Sequence, residues 1–348
     1  MRSIAVCSVL VDHLFLTLHG NARLGTESQM YYMTALGHAG VLAFFVHTSF
    51  VLMNSLERMH KTKDRVTFPF YVRRFFRIYP LAITTILIVL AFHVPYKTYD
   101  HPGSVSRAGV IANFFLMQNI FTKEQVLSPM WSLPYEVQMY AVLPFLFVLA
   151  SRKKSVFQLT ALILLCSVFG AIMSLKTGHL NMLAYVPCFL AGVLCYSLRK
   201  FISPTISSYL WIPFLLILFG VFVLANPGEA QTFWSGWIFC LMLGVSINAF
   251  ADVSVRSINV VAGKTALYSY GMYLLHSVAL YVVFFRLRIG NLIVASFIFF
   301  ALTIVASMIA FHAIESPFIE LGRWLSSPAR GRVLTEVDVR ASIEGSVE

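Results

Sequence analysis

Charge is what this chain has least of. Lysine, arginine, aspartate and glutamate make up 12% of its 348 residues, about half the share usual in a soluble protein, while apolar residues reach 58% against roughly 45–50%. Long polar stretches are missing too. Ten apolar segments of about 20 residues take up about 200 positions and leave only short loops, so no separate soluble domain fits. Its five cysteines, Cys7, Cys166, Cys188, Cys195 and Cys240, lie in apolar runs without CxxC spacing. That pattern excludes a disulfide scaffold or zinc ribbon and leaves the thiols as small hydrophobes. No Walker loop, GxGxxG or HExxH motif occurs, and no internal repeat. The first apolar run lacks a small-residue cleavage site and is read as a retained helix. The net charge of +11 would suggest nucleic acid in a soluble protein. Here the basic residues follow the loops between apolar runs, and no nucleic-acid partner is expected.

What is there predicts an all-α polytopic membrane protein of about ten transmembrane helices. The apolar runs fall near 3–19, 38–56, 78–95, 130–150, 155–175, 181–198, 208–225, 231–251, 266–286 and 290–313. A shorter piece at 106–119 reads as a re-entrant or interfacial segment. Residues 1–325 form the expected membrane domain, and 326–348, too poor in apolar residues to pack, a disordered cytoplasmic tail. With both termini cytoplasmic, 19 of the 26 Lys and Arg residues lie inside, as the positive-inside rule requires. That excess faces anionic membrane lipids or an anionic cytosolic ligand.

Ionisable groups at mid-depth in a membrane require a reason. His13 lies eleven residues from Arg2, roughly 16 Å along a helix and near the centre of a ~30 Å core. His47 and His276 fall about 14–15 Å deep on the same arithmetic, and Glu136 roughly 9 Å below the outer edge. Depth alone thus allows three histidines and a carboxylate to share one layer. For His47 alone, a hydrogen bond to the next helix is an adequate account. Asp12 precedes His13 but points about 100° away, which suits pairing with a neighbouring helix. An isolated Glu136 would protonate without a purpose, which favours a functional role. A second signal is Arg73-Arg74-Phe75-Phe76-Arg77 at the head of the third span. Arginines three and four apart share a helix face and grip phosphates well, although topology alone also asks for basic residues there.

Taken in order, these residues resemble a known family. Arg2-Ser3-Ile4-Ala5-Val6 followed by His13, Gly40-Val41 with Phe44-Phe45-Val46 and Phe50, Arg74-Phe75-Phe76-Arg77-Ile78 with Pro80, and Trp131-Ser132-Leu133 with Glu136, Tyr140 and Pro144 resemble the membrane acyltransferase-3 family. So do Tyr268-Ser269-Tyr270-Gly271-Met272-Tyr273-Leu274-Leu275-His276 and Glu315-Ser316-Pro317. The resemblance covers about residues 1–325. It implies a multi-pass inner-membrane enzyme moving an acyl group, acetyl above all, from acyl-coenzyme A at the cytoplasmic side to a hydroxyl of a surface or exported carbohydrate or a small molecule. Acetyl-CoA or another acyl-CoA is then the donor, and no metal is implied.

Residue by residue, the resemblance makes His13 catalytic with Glu136 as its polar partner. Arg74, Arg77 and Arg2 become donor-binding residues. Apart from the resemblance, Trp131, Ser132, Tyr140 and His276 are assigned to the acceptor, with Trp131, Tyr135 and Tyr140 beside Glu136 the aromatic residues placed to stack on a sugar ring. Histidine, with an ordinary pKa of about 6.5, suits either a general base or a transient acyl carrier, and the sequence leaves both open. The chain departs from the family pattern at Leu42, where an aspartate is usual, and at Thr48-Ser49, where Ser-Gly is usual. It also begins at the first motif, where relatives have a short preceding segment. The competing reading is a proton-coupled transporter or flippase with a His and Glu relay. Matching Gly/Pro-interrupted halves, its usual sign, are not seen.

Overall fold

A computed structural model describes residues 1–22, 25–62, 66–94, 105–177, 182–226 and 233–327. The expected tail lies outside the described residues from position 328 onward. Among the described residues thirteen α-helices follow one another: α1 (Arg2–Ala22), α2 (Glu27–Thr62), α3 (Thr67–Phe92), α4 (Arg107–Phe114), α5 (Gln118–Phe121), α6 (Leu133–Ala150), α7 (Ser155–Thr177), α8 (Met182–Leu198), α9 (Trp211–Ala225), α10 (Phe233–Ser246), α11 (Arg256–Leu280), α12 (Leu292–Ala310) and α13 (Ser316–Ser326). Among the described residues there is no strand, only an isolated bridge between Ile206 and Phe250. An all-helical architecture is what hydrocarbon demands, because each backbone donor and acceptor must be satisfied within its own segment.

Among the described residues, eight helical stretches are long and apolar enough to cross a membrane, and two shorter apolar ones, Met182–Leu198 and Phe233–Ala249, stand where the sequence predicts the sixth and eighth spans. Helices α4 and α5, of eight and four residues, are too short to cross, in keeping with a re-entrant piece. Side chains replace ladder bonds there. Asn113 donates its amide to the Gly109 and Glu124 carbonyls and accepts from the Val126 N–H. The Glu124 carboxylate in turn accepts from the Ser106 N–H and hydroxyl. Buried Leu116, with φ 53°, turns the chain between the two helices.

The described residues form two compact units, and α1, α6 and α11 contribute to both. The first comprises Met1–Asp12, Thr26–Val66 and Gln138–Ala262. Its centre is α8, in which thirteen of seventeen residues are buried, so this helix is apolar all round because protein, not lipid, surrounds it. Small residues set the crossings, as is usual between membrane helices. A Cβ at Gly192 would stand 2.1 Å from both the Ser49 hydroxyl and the Val46 carbonyl of α2, and one at Gly244 2.6 Å from the Ala191 carbonyl. At the end of α2 and α8, the Arg199 guanidinium donates to Asn54 and to Glu57, the latter at 2.6 Å, and lies over the Tyr196 ring.

The tight crossing leads to a graded prediction. Gly192→Ala is expected to cost about 1–3 kcal/mol, since the obstacle includes backbone of α2. Gly220→Ala, where a Cβ meets nothing within 4 Å, should be neutral or gain up to about 1 kcal/mol from helix propensity. Thermal unfolding of both purified variants in detergent measures the difference. Equal melting temperatures would contradict the account of the crossing.

The second unit comprises His13–Gly25, Thr67–Val137 and Gly263–Glu348. In it α13 packs along α3, with Gly322 against Phe76. The two helices α12 and α13 form one 35-residue rod, Leu292–Ser326, interrupted only by a π-helical turn over Phe311–Glu315. The rod begins where the Asn291 side chain accepts from the Ile293 and Val294 N–H groups, a side-chain cap for α12. Another π-helical turn, Tyr281–Arg286, closes α11.

Candidate active site

Two histidines meet in the second unit. His13 on α1 and His276 on α11 bring Nδ1 and Nε2 to 2.6 Å, with ring centroids 4.8 Å apart and planes inclined by 31°. His276 is fully buried, whereas His13 is part-exposed. The sequence offers His276 as an acceptor ligand; the structure sets it directly on the residue read as catalytic. Its other nitrogen faces its own helix, Nδ1 lying 3.1 Å from the Met272 carbonyl.

One turn before His276 along α11, Tyr273 collects the signature of the fourth span. Its hydroxyl donates to the Pro129 carbonyl at 2.8 Å, so the Ser132 hydroxyl, 2.7 Å away, is the donor to Tyr273. Ser132 is thereby held in the wall of the site. Glu136 follows one helical turn later and stands close enough to Tyr273 for its charge to act on it. Trp131 meets Tyr135 edge to face, centroids 6.2 Å apart. Trp131, Ser132, Glu136 and the two histidines therefore belong to one unit. At Nδ1 of His13, however, the partner is His276.

The arginines of α3 gather with α13. Arg77 forms an ion pair of 2.5 Å with Glu315, whose side chain is wholly buried while that of Arg77 is 18% exposed. Its guanidinium also lies 5.8 Å from the centre of the Tyr270 ring, and the Tyr270 hydroxyl donates to the Ile78 carbonyl. Arg73 donates through Nε to the Ser326 hydroxyl. The charges of Arg73, Arg74, Arg77 and Arg323 lie close enough to influence one another. On sequence alone Arg74 pairs with Arg77, and Arg323 is one more of the basic residues that topology places in the cytoplasm. The structure shows Arg77 committed to Glu315 and adds Arg73 and Arg323 to the neighbourhood of Arg74. An acidic residue directly after a long apolar run was the available sign for Glu315.

Arg2 and Tyr140 fall in the first unit. Arg2 and the chain's amino terminus stand close enough to His47 for their charges to act on it, and Nδ1 of His47 is buried with no hydrogen-bond partner. Tyr140 is buried, 6% exposed. Asp12 lies over Gly37 of α2, where a Cβ would come within 2.0 Å of its carboxylate. Among the described residues no three His, Cys, Asp or Glu side chains converge to hold a metal ion.

A helical membrane protein with apposed histidines, a polar Ser-Tyr-Glu wall and an arginine cluster in one unit is suited to chemistry on a charged donor. The comparisons give the class its name. A family profile described as "Acyltransferase domain", acyltransferase family 3, matches residues 1–312, and the chain belongs to that family. That membership weighs against the transporter reading of the buried His and Glu. The chain is similar to acyltransferase MdmB of Streptomyces mycarofaciens, 32% identical over 148 residues, which are 41% of this chain and 35% of that protein. It thus spans about a third of the length of this curated relative. No solved structure matches it.

Proposed function

We propose that the protein transfers an acyl group, acetyl foremost, from acyl-coenzyme A on the cytoplasmic side to a hydroxyl of a carbohydrate or a small molecule, with His13 as the reacting residue. The observation that carries this reading is a part-exposed imidazole in a membrane span, in the same unit as four clustered arginines. A coenzyme's phosphates are the anions such a cluster suits, because guanidinium groups bind phosphate through directed, charge-assisted hydrogen bonds. Arg73, Arg74 and Arg323 are assigned to the phosphates, and Arg77, held by Glu315, to shaping the site. His13 removes the acceptor's proton as its oxygen attacks the thioester carbonyl. The C–O bond forms, the C–S bond breaks, and the proton passes to the departing thiolate. Trp131 and Tyr135 offer an aromatic face to the acceptor ring. The excess of basic residues in alternate loops supports cytoplasmic termini in an inner-membrane protein.

The test is transfer of radiolabelled acetyl from acetyl-CoA by membranes carrying the protein, supplied with lipid and glycan extract from the native cell. Label must enter an acceptor, and the labelled product then identifies it. Label on the protein after a rapid quench would instead mark an acyl-histidine intermediate. Arg74→Ala and Arg323→Ala are expected to raise KM for acetyl-CoA about 10- to 100-fold, the worth of one hydrogen bond to a charged group. A fall in kcat at unchanged KM would remove these arginines from the donor site.

A further inference from the structure

The structure assigns to His276 the role of a positioning residue that fixes which nitrogen of His13 carries the reactive lone pair. The assignment rests on His13 being the reacting group, and its logic is a count of hydrogens. Nδ1 of His276 lies 3.1 Å from the Met272 carbonyl. A carbonyl only accepts, so this nitrogen carries the hydrogen. In a neutral imidazole the other nitrogen is then an acceptor. His276 therefore presents the lone pair of Nε2 to Nδ1 of His13, 2.6 Å away. Nδ1 of His13 must donate, and its own lone pair stands on Nε2. The Ser277 hydroxyl, 3.4 Å from Nε2 of His276, fits the same scheme only as a weak donor.

The backbone of α11 thus sets the tautomer of one histidine, and that histidine sets the next. During transfer Nε2 of His13 takes the acceptor's proton and returns it to the thiolate, while the hydrogen on Nδ1 stays in its bond to His276. In serine hydrolases a buried carboxylate orients the histidine in this way and balances the imidazolium. Inside hydrocarbon an anion is expensive to hold. A neutral imidazole provides the same orientation without burying a charge. Full burial of His276 in α11 keeps its ring from turning toward another partner.

Two full-length variants in lipid nanodiscs test the assignment. His276→Leu removes the acceptor and is expected to lower kcat about 100-fold or more while leaving KM for acetyl-CoA unchanged. In His276→Gln the amide oxygen reaches roughly the place of Nε2 and accepts from Nδ1 of His13, and kcat should return to within about tenfold of wild type. Nitrogen NMR of isotope-labelled histidine, with the His13 signal identified by its loss in His13→Ala, should show wild-type His13 bearing its hydrogen on Nδ1. Wild-type His13 protonated at Nε2 would overturn the proposal, as would full activity of folded His276→Leu or a folded His276→Gln as inactive as the leucine variant. If His276→Leu does not fold, the glutamine variant and the wild-type spectrum decide. Activity in His13→Ala would instead sink the proposed function, and the spectrum would still judge the tautomer.

Discussion

His13→Ala is expected to abolish acyl transfer while the protein remains folded and still binds coenzyme A. General-base catalysis by a placed histidine is worth about 10²–10⁴ in rate, so turnover should fall by at least that range. The variant should fold because His13 is part-exposed rather than a packed core residue. Truncating it unburdens a site rather than emptying a core. Size-exclusion profile and melting temperature in detergent monitor folding, and calorimetry with coenzyme A monitors the arginine cluster. Loss of turnover with both preserved places His13 in the chemistry. Near-normal turnover would end the assignment.

The second large effect is on stability. Glu315→Ala leaves the Arg77 guanidinium without the carboxylate it faces at 2.5 Å, and breaking one side of a buried ion pair costs about 3–5 kcal/mol. Against a total stability of roughly 5–15 kcal/mol, that should lower the melting temperature severely or prevent accumulation in the membrane. Replacing both partners, Arg77→Met with Glu315→Leu, removes the orphaned charge and is expected to recover much of the loss. Glu315→Gln, which keeps an acceptor, should fall between. If the double variant melts no higher than Glu315→Ala, the pair is not what holds α3 to α13. The recovered double variant also separates packing from donor binding, since its KM for acetyl-CoA can be measured.

The architecture was largely legible because hydrocarbon imposes one rule on every segment. The limits of the apolar runs were not those of the helices: α2 begins at Glu27, well before the run at 38–56, and α3 carries its arginines as helical residues from Thr67. Backbone hydrogen bonding continues past the apolar core until a cap or turn interrupts it. Within the site, depth arithmetic singled out His13 and His276 as members of one layer. It could not pair them, because they lie 263 positions apart and depth says nothing of azimuth around a helix. Arg77 and Glu315, 238 apart, were hidden in the same way, and topology already accounted for the arginines. Tyr273 stood in a quoted motif, but its bond to Ser132 became visible only in three dimensions.

The π-helical turn at Phe311–Glu315 has a consequence for the rod that contains it. A turn closed by i→i+5 bonds holds one residue more than its α-helical counterpart. Everything after it is rotated by about 100° relative to an uninterrupted α-helix. Upstream, Ile304, Val305, Met308 and Ile309 face outward on α12, whereas Glu315, the last residue of the turn, is buried against Arg77, and Gly322 beyond it lies against Phe76. The extra residue acts as a phase shifter, letting one continuous helix change its inward side partway along its length.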